Sequence, residues 1–252
     1  MKNILVSIIT PAFNCEKMVL ETYNSIKKQT YKNWEWVITE DCSNDHTFDM
    51  LQKLALQDQR IKLFRNVSNS GAAVSRNNSI RNANGDYLAF IDSDDLWSIH
   101  KLETQLKYML DNKVDFTFTQ YNIIDENGEP KGKVVDSHIS KPICYSDMLR
   151  KKATLGCSTV MLRNGCISDL SMPLIRTGQD YALWLKILKT GIFAYPIMQV
   201  LTSYRITPNS ISRNKFKKAF RQWEIYRRIE SLSFFCSCYC FAFYAYRAVF
   251  RK

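Results

Sequence analysis

The sequence predicts an α/β fold in which a mostly parallel sheet is flanked by helices, followed by a helical, basic and aromatic C-terminal extension. Short apolar runs alternate with amphipathic segments over residues 4–91, and this alternation is typical of β-α-β units. Polar clusters follow several of the predicted strands. Because ligands bind beyond the carboxyl ends of strands in such sheets, these clusters predict the position of a site.

The first half of the chain alternates regularly. The predicted strands cover residues 4–10, 34–39, 61–64 and 87–91, and the predicted helices cover residues 15–29, 47–57 and 70–83. Pro11 is expected to halt the first strand, because proline cannot donate to the ladder. Residues 11–14, 40–43 and 92–95 lie at three strand ends. We therefore expect these polar segments to meet at one edge of the sheet.

The second half is less regular. Its pattern predicts a helix over residues 102–110, a strand over 115–122, a hairpin turn at 125–128, a short strand over 159–162, an amphipathic helix over 178–188 and an extended segment over 192–205. No internal repeat interrupts the chain. We place a soft boundary between the halves near Trp97.

Composition is that of a globular protein with one unusual end. The 252 residues are 46% hydrophobic and 23% charged, which is ordinary for a folded domain. The eight cysteines show no paired spacing, and no leader-like segment precedes the first strand, so we expect a reducing cytoplasm. The net charge is +11, and residues 213–252 hold ten basic and two acidic residues. This basic end predicts an anionic surface as partner.

An acidic cluster is the strongest chemical signal in the sequence. Asp92, Asp94 and Asp95 directly follow the apolar run 87–91. Three carboxylates at the end of a buried strand repel one another unless a cation offsets their charge. Mg²⁺ and Mn²⁺ prefer carboxylate and phosphate oxygens, so the cluster predicts a metal–diphosphate site. The alternative is a solvated acidic turn that caps a helix beginning near Leu96 or Ser98.

Six motifs in order resemble family 2 glycosyltransferases of the GT-A fold, across residues 4–205. They occupy residues 6–14, 29–35, 40–47, 69–71 with 75–77, 90–95 and 178–185. Residues 205–227 resemble the C-terminal signature of bacterial O-antigen enzymes that add a second sugar to N-acetylhexosamine-diphospho-undecaprenol. The resemblance implies a GT-A domain over residues 1–205, with a nucleotide-sugar half (1–97) and an acceptor half (98–205), and a membrane-interfacial region over 206–252.

The resemblance also implies a site for a UDP-sugar donor. Phe13 would stack on uracil, Asp41 would accept the uracil N–H, and Arg76 would face the diphosphate. The implied donor-site residues are Thr10, Pro11, Phe13, Asp41, Arg76, Asp92 and Ser93. Mn²⁺ or Mg²⁺ would be held by Asp92, Asp94 and Asp95, with the direct ligands left open. The alternative for Arg76 is an ordinary surface position on a helix.

Asp180 is implied as the general base of an inverting transfer. Its carboxylate would take the proton of an acceptor hydroxyl that attacks the anomeric carbon opposite the leaving diphosphate. The alternative for Asp180 is a helix N-cap. Arg205, Lys215 and Arg221 are implied as contacts of the lipid-diphosphate acceptor.

The expected function is therefore the transfer of a hexose, galactose or glucose, from UDP to an N-acetylhexosamine-diphospho-undecaprenol. The reaction is expected to form a β-1,3 linkage in O-antigen or lipopolysaccharide biosynthesis. Alternatives are another polysaccharide or protein-linked acceptor, an inactive scaffold, and a nucleic-acid-binding protein that uses the basic end. The last leaves the acidic cluster unexplained, because phosphate backbones would be repelled there, so we expect no nucleic-acid partner.

Aromatic residues crowd the segment 232–250, beside the basic residues of 215–228. Its apolar run is shorter than the ~20 residues that span a bilayer. The pattern favours an interfacial helix on an anionic leaflet. We therefore expect a protein that is peripheral on the cytoplasmic face of the inner membrane. The alternative is a helical hairpin packed on the body.

Overall fold

The computed structural model describes residues 4–206 and 215–250 and confirms the α/β fold with a mostly parallel sheet. The strands are β1 (Val6–Ala12), β2 (Trp34–Glu40), β3 (Ile61–Arg65), β4 (Tyr87–Phe90), β5 (Leu96–Trp97), β6 (Phe116–Ile124), β7 (Pro130–Val135), β8 (Met161–Arg163) and β9 (Tyr195–Arg205). The helices are α1 (Val19–Lys27), α2 (Thr47–Gln57), α3 (Ala72–Arg81), α4 (Lys101–Asn112), α5 (Tyr145–Leu149), α6 (Gln179–Leu188), α7 (Lys215–Glu224) and α8 (Phe234–Phe250).

One sheet runs through the molecule in the order β3-β2-β1-β4-β8-β6-β9-β5, with β7 paired to β6 outside this path. The strands β3, β2, β1 and β4 are parallel to their neighbours. β8 is antiparallel to both β4 and β6, whereas β6 and β9 are parallel. The carboxyl ends of β1, β2 and β4 therefore lie at the same edge.

Both faces of the sheet are buried. Ile8 and Ile9 of β1 are fully buried in two different apolar clusters, as the alternation of side chains along a strand requires. The cluster around Ile9 includes residues of α5, α6 and the C-terminal helices. The cluster around Ile8 includes residues of α1, α2 and α4. Burial on both faces explains why these strands are unbroken apolar runs in the sequence.

The expectation that Pro11 halts the first strand is wrong. β1 continues to Ala12, and Pro11 pairs with Thr39 of β2. On the other side, the pairing of β1 with β4 extends only to Ile9. Proline is tolerated here because no ladder hydrogen bond to β4 is required of it.

The C-terminal region packs on the body. A π-helical turn (Ile225–Ile229) separates α7 from the segment that leads to α8. Tyr226 is fully buried, and its hydroxyl donates to the carbonyl of Leu149 in α5. The hydroxyl of Tyr145 donates to the Glu230 carboxylate at 2.5 Å. The hairpin alternative is therefore correct for one face of this region.

The other face of the C-terminal region stays in solvent. Phe234, Phe235, Tyr239 and Tyr246 of α8 are all more than half exposed. Three of them, Phe235, Tyr239 and Tyr246, follow helical spacing and form one stripe. Among the helices in the described ranges, none is long and apolar enough to span a bilayer.

Candidate active site

A cavity of about 560 Å³ opens at the carboxyl ends of β1, β2 and β4. The loop after β1, the loop before α3, α3 itself, the turn after β4 and the segment before α6 all contribute to its wall. Of the residues implied by the sequence, the cavity is lined by Pro11, Phe13, Asp41, Arg76, Asp92, Ser93 and Asp94. The polar strand ends thus meet at one edge, as the α/β pattern requires.

The end of the cavity that is expected to bind the nucleobase has an exposed aromatic ring and a buried carboxylate. Phe13 is 44% exposed, which leaves a ring face available for stacking. Asp41 is buried, and one of its oxygens accepts from Ser70 N (2.8 Å) and Asn66 Nδ2 (2.7 Å). The other oxygen accepts from Gly71 N at 2.7 Å. Because a carboxylate oxygen can accept two hydrogen bonds, Asp41 fixes the loop before α3 and keeps capacity for one more donor.

Arg76 and Asp92 form an ion pair in the wall of the cavity. The Arg76 side chain is 7% exposed and its guanidinium donates to the Asp92 carboxylate. The surface alternative for Arg76 is therefore wrong. Burial opposes the charge of Arg76, but Asp92 and, more weakly, Asp180 raise its pKa, so the guanidinium is cationic. Its Nε is buried without a partner among the described residues.

Asp95 has a different environment from its neighbours. It is fully buried, and its two oxygens accept from Ser158 Oγ (2.5 Å) and from Arg205 N (2.8 Å). The buried Arg205 side chain donates to the carbonyl of Asp94 at 2.8 Å and to the Glu21 carboxylate at 2.6 Å. Asp95 and Arg205 thus hold the turn 92–95 in place. The solvated-turn alternative is wrong for Asp95.

Asp92 and Asp94 fit a divalent cation better than Asp95 does. Asp94 lines the cavity, whereas Asp95 does not. Burial, and then the charge of Asp92, raise the pKa of Asp94 to about 6. Arg76 neutralises part of the charge of Asp92, but the two carboxylates together still suit an oxygen-seeking cation whose shell is completed by phosphate. No group of three or more metal-binding side chains occurs in residues 4–206 and 215–250.

Asp180 lies in the first turn of α6 between the cavity and α7. The N-cap of α6 is Gly178, with φ of 78°, and no side chain caps it, so the N-cap alternative for Asp180 is wrong. A Cβ at Gly178 would stand 3.1 Å from Cδ of Arg221, so this α7 side chain packs directly over the start of α6. Burial lowers the pKa of Arg221, and nearby Asp180 partly offsets that effect.

Two residues implied by the sequence, Thr10 and Arg205, lie elsewhere. Thr10 is fully buried, and its hydroxyl accepts from Trp36 Nε1 at 2.8 Å, beneath the cavity rather than in its wall. Arg205 is committed to the turn 92–95. Lys215 begins α7, but its side chain lies outside the described part of the chain.

Residues 7–164 match the family described as Glycosyl transferase family 2. The chain belongs to this family. Among its relatives is the putative teichuronic acid biosynthesis glycosyltransferase TuaG of Bacillus subtilis, 42% identical over 98% of this chain and 97% of that protein. Another is the UDP-Glc:alpha-D-GlcNAc-diphosphoundecaprenol beta-1,3-glucosyltransferase WfgD of Escherichia coli, 39% identical over 89% of this chain and 86% of that protein.

Solved structures agree on the fold. The S. aureus TarS 1-349 structure in complex with UDP-GlcNAc matches with a TM-score of 0.74 at 19% identity. The match covers 89% of the present chain and 65% of the TarS chain, so the present chain spans about two thirds of the length of the TarS chain. At this identity the likeness concerns the fold alone.

The sequence patterns did not single out two residues at or beside this site, Asn77 and Arg176. Asn77 is buried and exchanges two hydrogen bonds with Met172, at 2.8 Å and 2.7 Å. Arg176 lines the cavity from the segment before α6. Asn77 belongs to a motif quoted above, and its neighbour Arg76 was assigned, but nothing in the sequence indicates its partner 95 residues away.

Proposed function

We propose that the chain is an inverting, metal-dependent glucosyltransferase that moves glucose from UDP-glucose to an N-acetylhexosamine-diphospho-undecaprenol, with a β-1,3 linkage. The observation that carries the proposal is the position of Asp180, which interacts electrostatically with Arg76 of the cavity and with Arg221 of α7. A base at the junction of two cationic sites suits a reaction between two diphosphate substrates. The names of WfgD and WfaP, 39% and 40% identical, support glucose and this acceptor.

The donor would lie in the cavity with its base at Phe13 and its diphosphate toward Arg76. A ring with 44% exposure offers a stacking surface for uracil. The remaining acceptor capacity of Asp41 is available to the uracil N–H. Arg76 lines the cavity and is held cationic by its neighbours, so its charge would attract the phosphate oxygens. The donor is thereby oriented with its sugar toward Asp180.

The chemical step follows from that orientation. The Asp180 carboxylate takes the proton of the acceptor hydroxyl as its oxygen forms a bond to the anomeric carbon. The bond between that carbon and the diphosphate oxygen breaks, and its electron pair leaves with UDP. Attack from the face opposite the leaving group inverts the centre, so an α-linked donor gives a β-linked product.

Asp92 and Asp94 would hold the cation. When bound there, a divalent ion would supply positive charge that stabilises the departing diphosphate. Asp95 would act indirectly, because its oxygens are engaged with Ser158 and Arg205. Mn²⁺ and Mg²⁺ both suit such oxygen ligands.

The acceptor diphosphate would lie against α7. Arg221 and Lys218 are neighbours there, and burial followed by the charge of Arg221 lowers the pKa of Lys218. Arg221 is partly withdrawn from water and Lys218 is exposed beside it, so an anionic ligand would gain from both charges. Arg205 is left out of this proposal because its buried guanidinium already donates to Asp94, Glu126 and Glu21.

The exposed stripe of α8 would bind the membrane surface. Its aromatic side chains project beside the exposed Arg227 and Arg228. An apolar stripe flanked by cations suits the interface of an anionic leaflet. This placement would bring the lipid-linked acceptor to α7 and Asp180 without a membrane-spanning segment.

Transfer from a panel of radiolabelled UDP-sugars to a synthetic N-acetylglucosamine-α-diphospho-lipid tests the proposal. We expect transfer from UDP-glucose with Mn²⁺ or Mg²⁺, and none with a chelator. Transfer from UDP-galactose alone would overturn the donor assignment, and undiminished transfer with the chelator would overturn metal dependence. Transfer from no donor would overturn the proposed acceptor if the protein still binds UDP.

A second candidate shares the chemistry but not the acceptor. The 42% identity to TuaG over nearly the whole of both chains favours a polysaccharide of the teichuronic acid type. The same assay distinguishes the two, because this candidate predicts no transfer to a single N-acetylglucosamine-diphospho-lipid and transfer to a longer saccharide primer.

A further inference from the structure

We propose that Arg176 is a second cation for the diphosphate of the donor, acting from the segment between β8 and α6. The inference rests on the proposed function and deepens it. Arg176 is an exposed side chain in the wall of the donor cavity, four residues before Asp180.

Charge balance in the cavity carries the inference. The carboxylates in its wall are Asp41, Asp92 and Asp94, and the cations are Arg76 and Arg176. Arg76 is already paired with Asp92. A nucleoside diphosphate adds further negative charge, so even with a divalent ion and Arg76 the site has a net negative charge, which a second cation reduces. Among the described residues of the wall, Arg176 is the cation without an acidic partner.

The backbone near Arg176 is anchored to the donor side. Asn77 follows Arg76 in α3, and its amide exchanges two buried hydrogen bonds with the backbone of Met172. Neighbouring residues of α3 therefore serve both parts of the cavity. Arg76 pairs with Asp92, and Asn77 holds Met172, at the start of the segment that carries Arg176. On the other side the segment ends at Gly178, which is packed under Arg221. Arg176 is thus attached between two fixed points at the edge of the cavity.

A guanidinium in this position can donate two parallel hydrogen bonds to phosphate oxygens. Arg176 should therefore contribute to the affinity for ligands that contain a diphosphate and not to the affinity for ligands that lack one. Because the acceptor also carries a diphosphate, the two sources must be separated. UDP binding without acceptor reports on the donor site, and the acceptor KM at saturating donor reports on the other.

Calorimetric titration of wild type, Arg176→Ala and Arg176→Lys with UDP and with uridine tests the inference. We expect Arg176→Ala to weaken UDP binding about tenfold to a hundredfold, with uridine binding unchanged. Arg176→Lys should recover part of the loss, since it keeps the charge but not the fork. The matched control is Arg81→Ala, an exposed arginine at the far end of α3.

Three results would overturn the inference. Wild-type affinity of Arg176→Ala for UDP excludes the donor role. An increase only in the acceptor KM assigns Arg176 to the acceptor diphosphate instead. Failure of the wild-type protein to bind UDP at all overturns the proposed function, and the inference with it.

Discussion

The proposed donor side and the proposed acceptor side of this site are built differently. On the donor side, buried carboxylates bind backbone groups: Asp41 fixes the loop before α3, and Asp95 fixes the turn 92–95 through Ser158 and Arg205. On the acceptor side, Lys218 and Arg221 project from α7, a helix packed at the periphery. If the two sides have these roles, the residues that bind the donor are fixed by the sheet framework, whereas acceptor recognition can change by substitution of side chains on α7.

Asp180→Asn should give the largest effect, since both sides depend on the base between them. The amide keeps the size of the side chain but cannot take the acceptor proton. We expect turnover to fall about 10²-fold to 10⁴-fold. UDP affinity should change little, because Asp180 does not line the donor cavity. Initial rates and UDP calorimetry measure the two effects.

The control for Asp180 is Asp169→Asn, which alters an exposed carboxylate paired with Lys186 at 2.5 Å. It should leave turnover near the wild-type value. Near-normal turnover of Asp180→Asn would contradict the role of Asp180 as base.

Asp95→Ala tests whether Asp95 stabilises the turn 92–95 on the donor side. The substitution leaves Ser158 Oγ and Arg205 N without their buried acceptor. We expect a loss of about 3 kcal/mol in the free energy of unfolding, measured by urea denaturation. The matched variant, Asp94→Ala, should retain stability and instead weaken metal-dependent UDP binding. The reverse pattern would mean that Asp94 holds the turn and Asp95 binds the ion.

Local sequence patterns predicted the fold and the position of the site. The bounds of α2 agree with the prediction, residues 47–57, because an amphipathic period defines a helix without help from distant residues. The strands of the first half were also predictable as elements, since unbroken apolar runs indicate strands covered on both faces, although the first strand continues through Pro11 to Ala12.

The orientation of individual side chains was not predictable in the same way. Thr10 and Pro11 are adjacent, yet only Pro11 lines the cavity, because neighbouring residues of a strand face opposite sides. Arg205 contacts the turn 92–95 across a separation of 111 residues. Asn77 contacts Met172 across 95 residues. Such contacts depend on how the second half of the chain packs against the first half. Local sequence patterns do not contain this information.

Arg221→Ala should affect the acceptor side alone. Loss of a cation beside Asp180 should raise the KM for the lipid-diphosphate acceptor about tenfold and leave the KM for the UDP-sugar unchanged. Arg228→Ala is the matched control, because Arg228 is exposed on the same C-terminal region and pairs with Glu224 at 2.9 Å. A rise in the donor KM would show that the two sides are not separable.

The smallest expected effect concerns the exposed stripe of α8. Phe235 is 84% exposed, and an interfacial helix would bury part of its ring in the bilayer. Phe235→Ser should therefore weaken binding to vesicles that contain phosphatidylglycerol about fivefold. Leu56→Ser is the control, since Leu56 is 83% exposed on α2, outside the C-terminal region.

The salt concentration separates the electrostatic and apolar contributions to that binding. If the basic residues attract the leaflet and the ring inserts, salt should weaken binding to anionic vesicles in both wild type and Phe235→Ser, while the difference between them persists. Equal binding of the two proteins at every salt concentration would mean that the stripe is not inserted. Acceptor access would then rest on the cations of α7, and the acceptor side would be electrostatic throughout.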